Sequence, residues 1–333
     1  MFVLKKTTEH QESIHSRYNP ANHLYNNDLA DITMTQSIAF IGLGAMGWRM
    51  AAHLPKAFDD VIVWNRTFSK AEAHAAEFGT KATLIEQAVQ ADIIFSCLPT
   101  SNDVESIIAQ YPPKNGSIWI DCTSGEPDSA KRVAAKLAEN NVVFLDAPVS
   151  GQTIGAERGA LTVMVGGDKE ALERARSAMQ PFSSLIEHVG DSGSGFAVKA
   201  VNNMLLAVNL WAVAEGFSAL KAHGVNIDSA LTCINASSGR SLASENIFPQ
   251  RVLNREFPLT FALNLLAKDT GIAIELAHSA KIPAPLLALT QSLFRAASSS
   301  LPADSDFSAS IKLLEGWTGI ELKSDSTIND KHR

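Results

Sequence analysis

Lys199 stands near the start of "GSGFAVKAVNN" (residues 193–203), a segment that continues as "MLLAVNLWAVAEGFSAL" and is apolar nearly all round. A helix of that composition is normally buried, and a buried ammonium is costly unless it is paired or solvated. Asn203 lies four residues on and shares the lysine's face, with Asn202 beside it. A cation with an amide next to it can hold a hydroxyl or carbonyl oxygen. It can also pass the proton that moves when a hydride leaves or arrives. Desolvation would lower the lysine pKa toward the working range. The spacing alone equally allows a lysine whose stem covers apolar surface while its head reaches solvent. "LLAKDTGIA" (265–273) places Lys268 and Asp269 on another apolar helix, either as site groups or as surface charges.

A second chemical signal is "FIGLGAMG". Gly42, Leu43, Gly44, Ala45, Met46 and Gly47 fit G-x-G-x-x-G after an apolar strand and before a helix. In that setting the first glycine permits a tight turn, the second lets backbone approach a pyrophosphate, and the third lets helix pack on strand. The helix start then offers free N–H groups to the phosphates. The next strand ends in Asn65, Arg66 and Thr67, with no carboxylate of the kind that accepts a ribose 2′-OH in NAD sites. Arg66 can pair with a 2′-phosphate, with Asn65 and Thr67 adding hydrogen bonds, so the expected cofactor is NADP(H) rather than NAD(H). The other reading of Arg66 is a solvated surface charge. "DAPVSGQ" (146–152) also follows a strand, and its Ser-Gly turn can present N–H groups and a hydroxyl to a carboxylate.

These residues need elements to hold them. Apolar runs at 37–41, 59–67, 91–99, 116–124, 141–150 and 160–167 read as strands, with helical patterns between them at 68–78, 103–109 and 127–139. That alternation predicts an α/β, doubly wound and mainly parallel sheet. After residue 195 only helical patterns remain, at 196–222, 227–237, 241–247, 259–279, 283–299 and 306–319, punctuated by Pro249, Pro258, Pro283 and Pro302. The expected organisation is a disordered tail (1–35), a cofactor-binding domain (36–195), an all-α domain (196–322) and a flexible end (323–333). The chain has 333 residues, 46% of them hydrophobic, and a net charge of -7, which suits a well-filled core and a small-molecule partner rather than nucleic acid. Cys97, Cys122 and Cys233 show no metal spacing and read as free thiols of a cytoplasmic protein. No metal site is expected. No apolar run reads as a membrane span; 199–222 is expected to be a core helix.

Together these pieces resemble the β-hydroxyacid dehydrogenase family, the group that includes 3-hydroxyisobutyrate dehydrogenase and tartronate semialdehyde (2-hydroxy-3-oxopropionate) reductase. "FIGLGAMG", "DAPVSGQ…GA…G.L.VMVGG", "G.G..VK..NN" and "KD...A" occur in the family's order. The resemblance implies a Rossmann domain joined by a long helix to an all-helical domain. It implies NADP-dependent interconversion of a short 3-hydroxy acid and its semialdehyde, in a homodimer or homotetramer packed through the helical halves. Lys199 would be the general acid/base. Asn203 would orient substrate and lysine, and Ser150 and Gly151 would bind the substrate carboxylate. Lys268 would reach the cofactor, supported by Asp269. Leu98 and Pro99 would line the nicotinamide side, with Thr123 near both nicotinamide and substrate. Gln152 replaces the last glycine of the family's "SGG" turn, which bears on substrate identity. Pro55 should shorten the first helix, and His53 reads as a surface or capping residue. Imine reductases are similar in fold but usually lack the lysine; a non-catalytic NADP-binding module is the alternative of a different class.

Overall fold

The computed structural model describes residues 36–325. The expected N-terminal tail and the last eight residues lie outside them. The first half alternates strand and helix: β1 (Ile38–Ile41), α1 (Ala45–Ala51), β2 (Val61–Trp64), α2 (Phe68–Phe78), β3 (Lys81–Ala82), α3 (Ile85–Ala88), β4 (Ile93–Ser96), α4 (Ser101–Gln110), β5 (Ile118–Asp121), α5 (Pro127–Ala138) and β6 (Val143–Asp146). Then follow β7 (Val149–Ser150), α6 (Gln152–Glu157), β8 (Leu161–Gly166), α7 (Lys169–Met179) and β9 (Ser183–Gly190). Beyond them come α8 (Ser194–Ala222), α9 (Ile227–Asn235), a π-helical segment (Ala243–Val252), α10 (Leu263–Ser279), α11 (Pro285–Ser300) and α12 (Ile311–Thr318).

The sheet runs β3-β2-β1-β4-β5-β6-β8-β7, with β9 paired to β8. The pairs from β3 to β6 are parallel, and β8 is antiparallel to β6 and β7. A parallel sheet covered on both faces needs strands apolar on both faces. β1, β4 and β5 meet this: all their residues are buried. Phe40 and Phe95 stack in the core under one face, while Ile41, Ile94 and Trp119 belong to the core under the other. The strand order reverses between β1 and β4, and the ligand crevice of such a sheet lies outside the strand ends at that point.

α8 belongs to both halves. Its first turn carries Phe196 into the sheet's core, whereas Ala207, Leu210, Trp211, Ala214 and Phe217 sit in the helical core. At 29 residues it spans about 43 Å at the usual helical rise. One 18-residue window of it has a mean hydropathy of 1.4, enough by length and composition to cross a membrane, which corrects the expectation that no run reaches that length. The packed stripe shows where its apolar side chains go in this fold.

Several elements differ from the sequence reading. β9 follows the runs expected to be the last strands; its Leu185 and Glu187 are exposed, so it lacks a buried strand's continuous apolar run. Pro249 lies inside the π-helical segment instead of ending a helix. α1 stops at Ala51, and Pro55 enters a 3₁₀ turn. His53 is buried, not superficial: its Nε2 lies 2.8 Å from Ala156 O and ties the end of α1 to α6. The expected flexible end is held at its beginning, where Ile227 N–H donates to Asp325 Oδ2 at 2.7 Å.

Candidate active site

The glycine loop after β1 and the loop after β4 meet at the switch point. A Cβ on Gly47 would fall on Gly42 O, and no heavy atom lies within 4 Å of where a Cβ on Gly44 would stand. The first feature is close helix–strand packing; the second is open backbone of the kind a pyrophosphate approaches. Asn65 Oδ1 accepts from Leu43 N–H at 3.0 Å, and Asn65 Nδ2 donates to Thr67 O at 3.0 Å. The Asn65 amide therefore fixes the glycine loop to the end of β2.

Beside this loop is a cavity of about 340 Å³, lined by Leu43, Gly44, Ala45, Trp48, Arg49 and the first turn of α2, including Lys70. Arg66 is exposed and has neither ion pair nor hydrogen bond among the described residues. α2 has no acidic residue in its first turn. The helix start, Arg66 and Lys70 thus make a positive end with no ion pair among the described residues. The residues present fit a dinucleotide.

The floor of the crevice is a buried polar network. Trp119 Nε1 donates to Ser96 Oγ and Ser96 Oγ to Asp121 Oδ1, both at 2.8 Å. Thr123 N–H donates to Asp121 Oδ1 at 3.0 Å, and Leu98 N–H donates to Thr123 Oγ1 at 3.1 Å. Thr123 is 1% exposed, and its hydroxyl ties the β4 and β5 loops together. Leu98 is half-buried and Pro99 exposed at the crevice edge. Burial pushes the Asp121 carboxyl up to about 6.

Asp146, at the end of β6, fixes the start of α8. Gly193 N–H donates to its Oδ1 at 2.7 Å and Phe196 N–H to its Oδ2 at 3.0 Å. A carboxylate there satisfies helix-start donors that burial would otherwise leave unpaired. Burial raises its pKa to about 6, against the pull of those N–H groups.

α8 then carries Lys199 and Asn203. Lys199 is half-buried, with no hydrogen bond or ion pair among the described residues. Desolvation lowers its pKa to about 8, opposed by the charge of Asp269 and assisted by that of Lys268. Asn203 is buried; its Nδ2 donates to Asp269 Oδ2 at 2.6 Å, and its Oδ1 accepts from Asn202 Nδ2 at 3.2 Å. Asp269 Oδ1 lies 3.0 Å from Lys268 Nζ, and Lys268 Nζ donates to Ser124 O in the loop after β5. The predicted residues Asn203 of α8 and Lys268 and Asp269 of α10 are thus joined, and Lys268 ties them to Ser124 of the β5 loop. Lys268 meets the sheet half through backbone.

Ser150 ends β7, and Gly151, at φ 139°, follows it into α6. Ser150 Oγ has no hydrogen bond among the described residues. Gln152 reaches the helical half, where Arg251 Nη2 donates to its Oε1 at 2.7 Å. Asp121, Asp146 and Arg251 were not selected from the sequence. The two aspartates end buried strands beside "CTS" and "APVSG", a positional signal; Arg251, in a segment broken by proline, offered none. No cluster of metal-ligating side chains occurs among the described residues.

This arrangement can bind a dinucleotide at the glycine loop and present to an oxygen a lysine whose pKa burial lowers to about 8. Comparison with known proteins agrees. Residues 37–190 match the NAD-binding domain of 6-phosphogluconate dehydrogenase, and residues 193–314 match the NAD-binding domain of NADP-dependent 3-hydroxyisobutyrate dehydrogenase. The chain is 35% identical over 292 residues to 2-(hydroxymethyl)glutarate dehydrogenase of Eubacterium barkeri, covering 86% of this chain and 97% of that one. It is 36% identical over 298 residues to the NAD-dependent L-serine dehydrogenase of Pseudomonas aeruginosa, covering 85% and 99%. A Mycobacterium tuberculosis 3-hydroxyisobutyrate dehydrogenase structure with L-serine superimposes with a TM-score of 0.77 at 32% identity, covering 84% and 99%.

Proposed function

The chain belongs to the β-hydroxyacid dehydrogenase family, and from that premise we propose that it interconverts a short 3-hydroxy acid and its semialdehyde with NADP(H). The nicotinamide, when bound, exchanges a hydride with the carbon that bears the oxygen. The observation that carries the reading is Lys199: an unpaired, half-buried lysine with a pKa of about 8, beside the Asn203–Asp269–Lys268 chain.

A lysine poised there serves both directions. As ammonium it donates a proton to the aldehyde oxygen during reduction; as amine it takes the hydroxyl proton during oxidation. Asn203 is locked by Asp269, so it holds one orientation toward the lysine and a bound oxygen. Ser150 and Gly151 hold the substrate carboxylate through a free hydroxyl and an open turn. Lys268, bonded to Ser124 O, keeps the helical half against the β5 loop. Arg66 and Lys70 support NADP(H) over NAD(H). Val198, Val201 and Leu205 of α8 and Leu286 and Leu289 of α11 are exposed, which supports a homo-oligomer packed through the helical halves.

The test is NADPH consumption against glyoxylate and the succinic, methylmalonic and tartronic semialdehydes, with NADH in parallel. Turnover of one member with NADPH is expected. Binding of NADPH without turnover of any of them, in either direction, would sink the reaction and leave the fold.

A further inference from the structure

Gln152 is strained and committed at once. Its φ is 58°, a left-handed conformation that a side chain enters at a cost and that tends to persist where function holds it. Its Oε1 accepts from Arg251 Nη2 at 2.7 Å, across 99 residues of sequence. Arg251 is itself fixed: it is 5% exposed, its Nη1 donates to Thr260 Oγ1 at 2.5 Å, and Asp306 Oδ1 lies 3.6 Å from that nitrogen. A guanidinium carries donors only, so the amide can meet it with one atom, its oxygen. The Gln152 amide cannot flip without setting donor against donor. Its Nε2, also donor only, is left with no hydrogen bond among the described residues.

Resting on the reaction proposed above, we propose that Gln152, oriented by Arg251, is a specificity-determining residue that selects hydroxy acids with a hydrogen-bond acceptor on carbon 2 and disfavours those with an ammonium there. On the reading above, Ser150 and Gly151 hold the carboxylate; Gln152 directly follows them and its amide is fixed by Arg251, so its Nε2 would meet the substituents next to that carboxylate. Nε2 matches a hydroxyl or carboxylate. Against an ammonium it leaves two sets of donors facing each other. A polar site confronted with the wrong group discriminates strongly because its own groups go unpaired.

Glycerate and serine isolate the effect, since they differ by a hydroxyl against an ammonium on carbon 2. Both enantiomers of each are to be bound calorimetrically to the NADP⁺-loaded protein and assayed for oxidation. The wild type is expected to favour glycerate about tenfold or more in both readouts. Gln152→Gly, which suits the left-handed turn, should bring the ratio near one. Gln152→Glu, whose carboxylate can accept from Arg251 and an ammonium together, should turn it toward serine. A ratio unchanged in both variants, or a wild type that prefers serine, would overturn the proposal. Selective binding without oxidation of either acid supports the role of Gln152 and counts against the reaction. Oxidation at one ratio in all three proteins does the reverse. Binding of neither acid overturns the role of Gln152 and leaves the reaction to the semialdehyde panel.

Discussion

Asn203 Nδ2 donates to Asp269 Oδ2 at 2.6 Å, so the helix that carries the lysine and the helix that carries Lys268 are joined at a buried carboxylate. The charge of Asp269 also acts on Lys199, holding its pKa higher than burial alone would leave it. Asp269→Asn is therefore expected to shift the inflection of the pH–kcat/KM profile toward acid, besides lowering kcat. An inflection that stays in place while kcat falls would reduce Asp269 to a packing role.

With Lys199 in the proposed acid/base role, the pH dependence should be opposite in the two directions. Oxidation needs the amine, so it should rise as pH passes upward through about 8; reduction needs the ammonium, so it should fall over the same range. Lys199→Ala should cut kcat by about a hundredfold or more while leaving NADP(H) affinity nearly unchanged. Near-wild-type turnover in that variant would remove the lysine from the chemistry.

Much of this architecture is legible in the residues. Apolar runs such as "IAFI" and "IIFS", bounded by turn residues and alternating with helical patterns, read as strands covered on both faces, and Gly42 and Gly47 stand where backbone lies against backbone, whereas Gly44 leaves backbone open. Lys199 was visible as a charge in an apolar helix. The contacts between distant elements were not: nothing local tells that Gln152 meets Arg251, or that Thr123 turns its hydroxyl to Leu98 N–H. β9 was missed because its exposed positions give it the alternation of a surface segment.

Arg66 and Lys70 face the cofactor end of α2 without a carboxylate partner, so charge there should be read by the 2′-phosphate. Arg66→Ala is expected to weaken NADPH at least about tenfold, with little change for NADH, as the loss of a charge-assisted contact implies. Equal losses for both cofactors would show that Arg66 does not read the phosphate. The proposed NADPH preference should weaken at high salt, since the site is exposed.

Asp146 links stability to the placement of Lys199. Its pKa is raised by burial to about 6, above the usual 3.8, so the folded state binds the proton more tightly than the unfolded chain. The stabilisation from that group is complete below the unfolded value and is lost as pH rises through about 6. Asp121, its neighbour across β5 and β6, is raised in the same direction. Denaturant midpoints of the wild type should therefore gain less between pH 4 and pH 7 than its other carboxylates would give. Asp146→Asn should weaken this drag, because one of the two groups no longer titrates. At pH 7 the same variant loses an acceptor for Gly193 N–H or Phe196 N–H, with an expected cost of about 1–3 kcal/mol. Because those N–H groups begin α8, the variant should also lower kcat through Lys199, with cofactor affinity retained. Unchanged kcat alongside the loss of stability would show that the lysine's position does not depend on how its helix starts.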